Sequence, residues 1–275
     1  MAATISFLFF AVPALAQEKI AFPSNDAAGT QVDGYLYRPA GAGPFPAVIG
    51  LHGCSGMLNA QGGIFGIYSQ WAEHLRDRGY VVMLVDGFTP RGVTTACGRA
   101  NSAVNPQDAR PRDAYGALWH LASLAYVRGD RVAVLGWSHG GGTVLYATTP
   151  GVAARPADVA FRSAVAFYPA WCSASAHAFD WAPATPLLVL LGEKDNWTPS
   201  PPCHDLMERA QARGAAVEVE VYADSHHGFD SPAALRTLTD VRLPGGGSPT
   251  VGGNPVARAA AYARVVAFLD RTLKD

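Results

Sequence analysis

The chain has 275 residues, 49% of them hydrophobic and 16% charged, with a formal net charge of −1. That is apolar material for one large core, and it leaves no basic field to hold a phosphate backbone, which argues against nucleic acid as a partner. There are four cysteines, an even number, and no C-x-x-C pair, so two disulfides are expected in preference to a zinc site.

The N-terminal residues MAATISFLFFAVPALAQEK carry an apolar run that ends in Ala14-Leu15-Ala16, small residues where a signal peptidase reads, before the polar Gln17-Glu18-Lys19. Residues 1–16 read as a secretory signal peptide and 17–275 as a single α/β domain, secreted or periplasmic. The run is too short to span a bilayer and contains Pro13, so no membrane span is expected.

Along the rest of the chain, short apolar runs alternate with amphipathic stretches, the pattern of a mostly parallel central sheet flanked by helices on both faces. QVDGYLYRPA (31–40) alternates in the manner of a strand on an antiparallel edge hairpin, and AVIGLHG (47–53) is the first buried strand. A helix over 66–79 follows, with Ile67, Trp71 and Leu75 on one face and Gly79 as its C-terminal cap. YVVMLVDG (80–87) is the next strand; 112–127 carries Tyr115, Leu118, Trp119 and Ala122 on a helical stripe. Four further strands are expected at 131–138, 163–169, 186–195 and 217–224. The Gly- and Pro-rich stretch 240–253 reads as a flexible loop, and Asn254-Pro255 as the cap and first turn of a last helix reaching residue 273. The four cysteines allow three pairings; their places in neighbouring loops suggest Cys54–Cys97 and Cys172–Cys203.

The most informative stretch is VLGWSHGGG (134–142), in which Gly136-Trp137-Ser138-His139-Gly140 fits G-x-S-x-G between a strand and a helix entry. A turn of that kind strains the serine backbone, needs small neighbours and exposes the hydroxyl at the carboxyl end of the sheet. A glycine-rich phosphate loop is the alternative, but the Lys-Ser/Thr pair such a loop uses is missing. A serine nucleophile needs a base and an orienting acid, here in the order Ser, Asp, His. Asp195 follows the apolar run PLLVLLGEK, in a better position than Asp180, Glu193 or Asp205. DSHHGFD (224–230) offers two imidazoles; His227, beside Gly228 and Phe229, is the candidate base and His226 the fallback. The oxyanion donors are expected to be the backbone amides of His139 and Cys54, contacts that make little demand on either side chain. Cys54 itself is the alternative nucleophile, though no base is assigned to it.

These residues make the chain resemble the dienelactone hydrolase family of the α/β-hydrolase superfamily over roughly residues 30–273, through LHGCSG, VLVDGFTPRG, RDAYGAL, VLGWSHGG, LLGEKDNWTP and HHGFD. The resemblance implies the α/β-hydrolase fold, Ser138 as nucleophile, Asp195 as acid, His227 as base and Cys54 as an oxyanion amide. Family members that open dienelactone carry a cysteine nucleophile, whereas this chain has Ser138, like an exported branch whose members act as general carboxylesterases. Arg91 is a candidate for pairing with a substrate carboxylate, or else for fixing its own loop. Trp137, Trp197 and Tyr168 are candidate walls of the acyl pocket or else core residues, with core the favoured reading for Trp137. The expected activity is cleavage of carboxylic esters through an acyl-enzyme, with no metal or organic cofactor implied and a small-molecule ester or lactone as substrate. Lactone hydrolysis, peptide cleavage and a non-catalytic binding scaffold are the alternatives.

Overall fold

The computed structural model describes residues 17–98, 103–151 and 159–275, so the leader expected over 1–16 lies outside the described residues. The chain begins with an antiparallel pair, β1 (Glu18–Pro23) and β2 (Gln31–Tyr37), followed by β3 (Phe45–Leu51), α1 (Gly66–Arg76) and β4 (Val81–Asp86). A short 3-10 turn, Thr89–Arg91, precedes α2 (Ala109–Ala122), β5 (Val127–Trp137) and α3 (His139–Ala147). The last part comprises β6 (Ser163–Phe167), β7 (Leu187–Gly192), α4 (Ser200–Ala212), β8 (Val217–Tyr222), a small hairpin of β9 (Arg236–Thr237) and β10 (Thr250–Val251), and α5 (Pro255–Leu273).

Eight strands form one sheet in the order β1-β2-β4-β3-β5-β6-β7-β8. β2 is antiparallel to both β1 and β4, and every pairing from β4 through β3 to β8 is parallel. The strand sequences explain why. Runs such as VAVLGW and LLVLLG are apolar at every position, so they must be covered on both faces, whereas EKIAFP of β1, with one buried residue, can stand at the edge beside β2. Alternate residues supply two cores. Ala47, Ile49, Val132, Val134, Leu187 and Val189 point toward α2, α3 and α4, and their neighbours Val48, Ala133, Leu135, Leu188 and Leu190 toward α1 and α5.

Two elements differ from the sequence-based expectation. β1 and α4 were not anticipated: β1 has only one buried residue, and α4 opens Ser-Pro-Pro, which masks its apolar face at Cys203, Leu206, Met207 and Ala210. The stretch 240–253 is also less free than its glycines suggest. Thr250 and Val251 pair with Thr237 and Arg236, Val251 bridges His227, and the Asn196 side chain holds Ser248 and Thr250. Asn254 caps α5 as expected, accepting from the amides of Val256 and Ala257. Among the described residues no helix is long and apolar enough to cross a membrane.

Candidate active site

The carboxyl ends of β5, β7 and β8 bring the sequence candidates to one place. Ser138 is the single residue between β5 and α3, and its backbone sits at φ 54° and ψ −110°, a conformation that costs an L-residue of order 1–3 kcal/mol. Three bonds hold it there: Ser138 N–H donates to Phe167 O (2.9 Å), and Ser138 O accepts from Gly142 (2.8 Å) and Ala170 (3.0 Å). The flanking glycines are steric necessities. A Cβ at Gly136 would lie 2.2 Å from Gly140 O, and one at Gly140 would lie 1.9 Å from Leu51 O.

Asp195 closes the turn after β7. Its Oδ1 accepts the amides of Trp197 (2.8 Å) and Thr198 (2.9 Å), while its Oδ2 lies 2.8 Å from His227 Nδ1. Burial pushes this carboxyl up, but the facing imidazole, its hydrogen bond and the two amides outweigh burial and hold it below the usual aspartate value. Asp195 is therefore ionised at neutral pH and orients His227 with Nδ1 as the donor. The Thr198 hydroxyl lies 2.9 Å from Asp195 Oδ2 and 3.1 Å from His227 Nδ1, a third contact to the pair. His227 is carried on the loop after β8 and tied down where its carbonyl accepts the Gly252 amide. His226 is half-buried and does not reach Asp195, and Glu193 instead accepts the Asp224 amide. Ser138 and His227 line the same cavity, together with Tyr168 and Trp197, whose rings lie 4.5 and 4.9 Å from the imidazole.

Cys54, in the loop after β3, and His139, at the first position of α3, line the same cavity as Ser138. No acceptor among the described residues takes either amide hydrogen, and the N-terminal turn of a helix leaves such amides free. The Tyr68 hydroxyl accepts the Gly53 amide at 2.9 Å and so fixes the loop just before Cys54.

Both side chains are engaged by partners of their own. Cys54 is bonded to Cys97, and Cys172 to Cys203, so Cys54 has no thiol to act as a nucleophile. The His139 ring is held at its Nδ1 by the guanidinium of the buried Arg110 at 2.8 Å. Burial, and then the Arg110 charge, push the His139 pKa down to about 2, so the ring is neutral and Nδ1 accepts. Burial also lowers Arg110, to about 10, which leaves it charged at neutral pH behind the start of α3.

For Arg91 the structure bears out the loop-fixing alternative and not the pairing with a substrate carboxylate. Both of its terminal nitrogens lie 2.8 Å from the buried Asp113 carboxylate, and one donates to Gly87 O, so the side chain fixes its own loop and faces neither cavity beside Ser138. A bidentate pair of this kind is not spared for a ligand. Asp230 was missed altogether. It is fully buried and accepts from Trp71 Nε1 (2.8 Å), Trp137 Nε1 (2.9 Å) and Tyr168 Oη (2.7 Å), binding the 227–230 loop to the strand that carries Ser138. Thr198, three residues after Asp195, could have been found as an Asx-type turn partner; Asp230 had no local signal.

Residues 32–273 match the dienelactone hydrolase family. The chain belongs to that family. Within curated proteins, this dienelactone hydrolase family member is 27% identical over 202 residues to a Bradyrhizobium protein described as a probable 2-oxo-3-(5-oxofuran-2-ylidene)propanoate lactonase, covering 71% of this chain and 77% of the relative. In fold it is similar to dipeptidyl peptidase 4 of Porphyromonas gingivalis (TM-score 0.67, 18% identity), matching 94% of this chain but only 35% of that one. It is also similar to a Thermogutta terrifontis esterase in its propionate-bound form (TM-score 0.62, 16% identity), over 90% of this chain and 92% of that one.

Proposed function

We propose that this family member is an exported serine hydrolase that cleaves carboxylic esters. The observation that carries the reading is the meeting of a strained Ser138 with an Asp195-oriented His227 in one cavity. His227 Nε2 takes the hydroxyl proton as Ser138 Oγ attacks the ester carbonyl, and the oxyanion formed is met by the amides of Cys54 and His139. Collapse breaks the ester C–O bond, and His227 passes its proton to the departing alkoxide. Water then attacks the acyl-serine with His227 again as base, releasing the acid and restoring Ser138. The propionate-bound esterase of similar fold and the family match support ester hydrolysis; the two disulfides and the leader-like N-terminus support export.

A second reading, lactone opening, draws on the name of the Bradyrhizobium relative. It uses the same steps, with the alcohol still tethered to the acyl group. The two separate in a pH-stat assay of the purified chain on p-nitrophenyl acetate and butyrate beside δ-valerolactone and dihydrocoumarin. The expected result is nitrophenol release by the wild type with a kcat/KM that exceeds that for both lactones. A chain that opens only the lactones would favour the second reading, and a chain inert on all four would contradict both.

A further inference from the structure

Two cavities meet at Ser138. The larger, about 560 Å³, is lined by Ser138 and His139 and walled by Trp171, Pro169, Pro202 and Arg242, with the Cys54–Cys97 disulfide along one side and Cys172 along another. The smaller, about 260 Å³, is lined by Ser138 and His227 with Tyr68, Ile67 and Ala234. Ser138, Cys54 and Trp197 belong to both; His227 belongs to the smaller one alone.

That asymmetry orients the substrate, given the nucleophile and base assigned above. A general acid must lie within hydrogen-bond reach of the oxygen it protonates, so the leaving alkoxide departs on the His227 side. The carbonyl oxygen is held between the Cys54 and His139 amides. What remains, the acid chain, has one direction left, into the larger cavity. Trp171 suits that role: it is a non-glycine residue at φ 55°, its indole meets the His139 ring edge-on at 5.2 Å, and 37% of it is exposed. A large ring kept in a strained backbone position at a cavity wall is a contact surface for a ligand, and rigid prolines beside it favour flat apolar groups over flexible ones.

We propose that the acid part of the ester lies in the larger, disulfide-framed cavity and the alcohol part in the smaller one, so that the substrates are esters of ring-bearing carboxylic acids with compact alcohols. The test uses two isomeric esters with unactivated primary alcohols, ethyl 3-phenylpropanoate and 3-phenylpropyl acetate, which differ only in which side carries the ring. The ethyl ester should be preferred in kcat/KM by about tenfold or more, the scale on which an apolar pocket discriminates. Trp171→Ala should lower kcat/KM for the ethyl ester several-fold more than for the acetate, and Ala234→Trp, which narrows the smaller cavity, should do the reverse.

Deacylation gives a second readout, because the acyl-enzyme no longer contains the alcohol. After the nitrophenol burst from p-nitrophenyl 3-phenylpropanoate, the slow steady-state rate should respond to Trp171→Ala. Equal rates on the isomers, a preference for the acetate, or deacylation governed by Ala234→Trp instead would overturn the assignment while leaving the esterase reading standing. Turnover of p-nitrophenyl butyrate with none of either isomer would overturn it too. Absence of any ester turnover and of any adduct on Ser138 would instead remove the esterase reading, and the assignment with it.

Discussion

An Asp195→Asn enzyme should lose about four orders of magnitude in kcat on p-nitrophenyl butyrate with little change in KM or in melting temperature. The carboxylate has two separable tasks. Oδ1 accepts the amides of Trp197 and Thr198, and Oδ2 accepts Nδ1–H of His227. An asparagine can keep its oxygen on the two amides, so the turn after β7 survives. Its NH2 group then faces His227 Nδ1 and makes that atom an acceptor, which moves the ring proton to Nε2, where the attack on substrate needs a lone pair. The loss thus arises from the wrong tautomer in an intact site. Steady-state kinetics and a thermal melt on the same preparation check it, and a loss of less than tenfold would mean that Asp195 does not orient the base.

Asp230→Ala should destabilise the fold by about 3–5 kcal/mol, measured by urea denaturation, with no direct contact to substrate involved. The carboxylate is fully buried, and burial pushes its pKa up even though three donors converge on it. Its removal strands the indole N–H groups of Trp71 and Trp137 and the hydroxyl of Tyr168, each worth about 1–3 kcal/mol when left unsatisfied in the interior. Some relaxation follows, so the total falls below the sum. Asp230→Asn is the informative companion. It keeps one carbonyl oxygen for the two indoles and turns its NH2 toward the Tyr168 oxygen, so it should cost well under half as much. A loss below 1 kcal/mol in Asp230→Ala would contradict the network.

Most of the parallel strands were legible because they are short runs of apolar residues closed by Gly, Pro or a polar cluster, and VAVLGW or LLVLLG has no other comfortable environment than a covered sheet, while the outermost, VEVEVY, alternates. The candidate triad was legible for a related reason: Ser138 and Asp195 stand just after such runs and His227 in the loop after the next strand, so chain order and strand ends suggest one site before any distance is known. Of the three possible cysteine pairings, the one suggested by loop proximity is the one that forms. Side-chain partnerships across the sheet were not legible. Nothing near Asp230 announces Trp71, Trp137 and Tyr168, which lie 159, 93 and 62 residues away. For the same reason the sequence could not choose between a substrate contact and a loop-fixing role for Arg91, whose partner Asp113 lies 22 residues on, and His139 read as only a backbone amide although Arg110 stands behind it. The loop at 240–253 misled through its glycines, since bonds that restrain it come from Asn196 and His227.

The measurement that bears most directly on the account is intact-mass and peptide mapping after treatment with a fluorophosphonate, run on the wild type and on Ser138→Ala beside their turnover of p-nitrophenyl butyrate. The expected outcome is one adduct per wild-type chain, located on Ser138 and abolishing turnover, with neither adduct nor turnover in Ser138→Ala. An adduct on another residue, or a Ser138→Ala enzyme that retains wild-type turnover, would show that the strained turn after β5 does not carry the nucleophile.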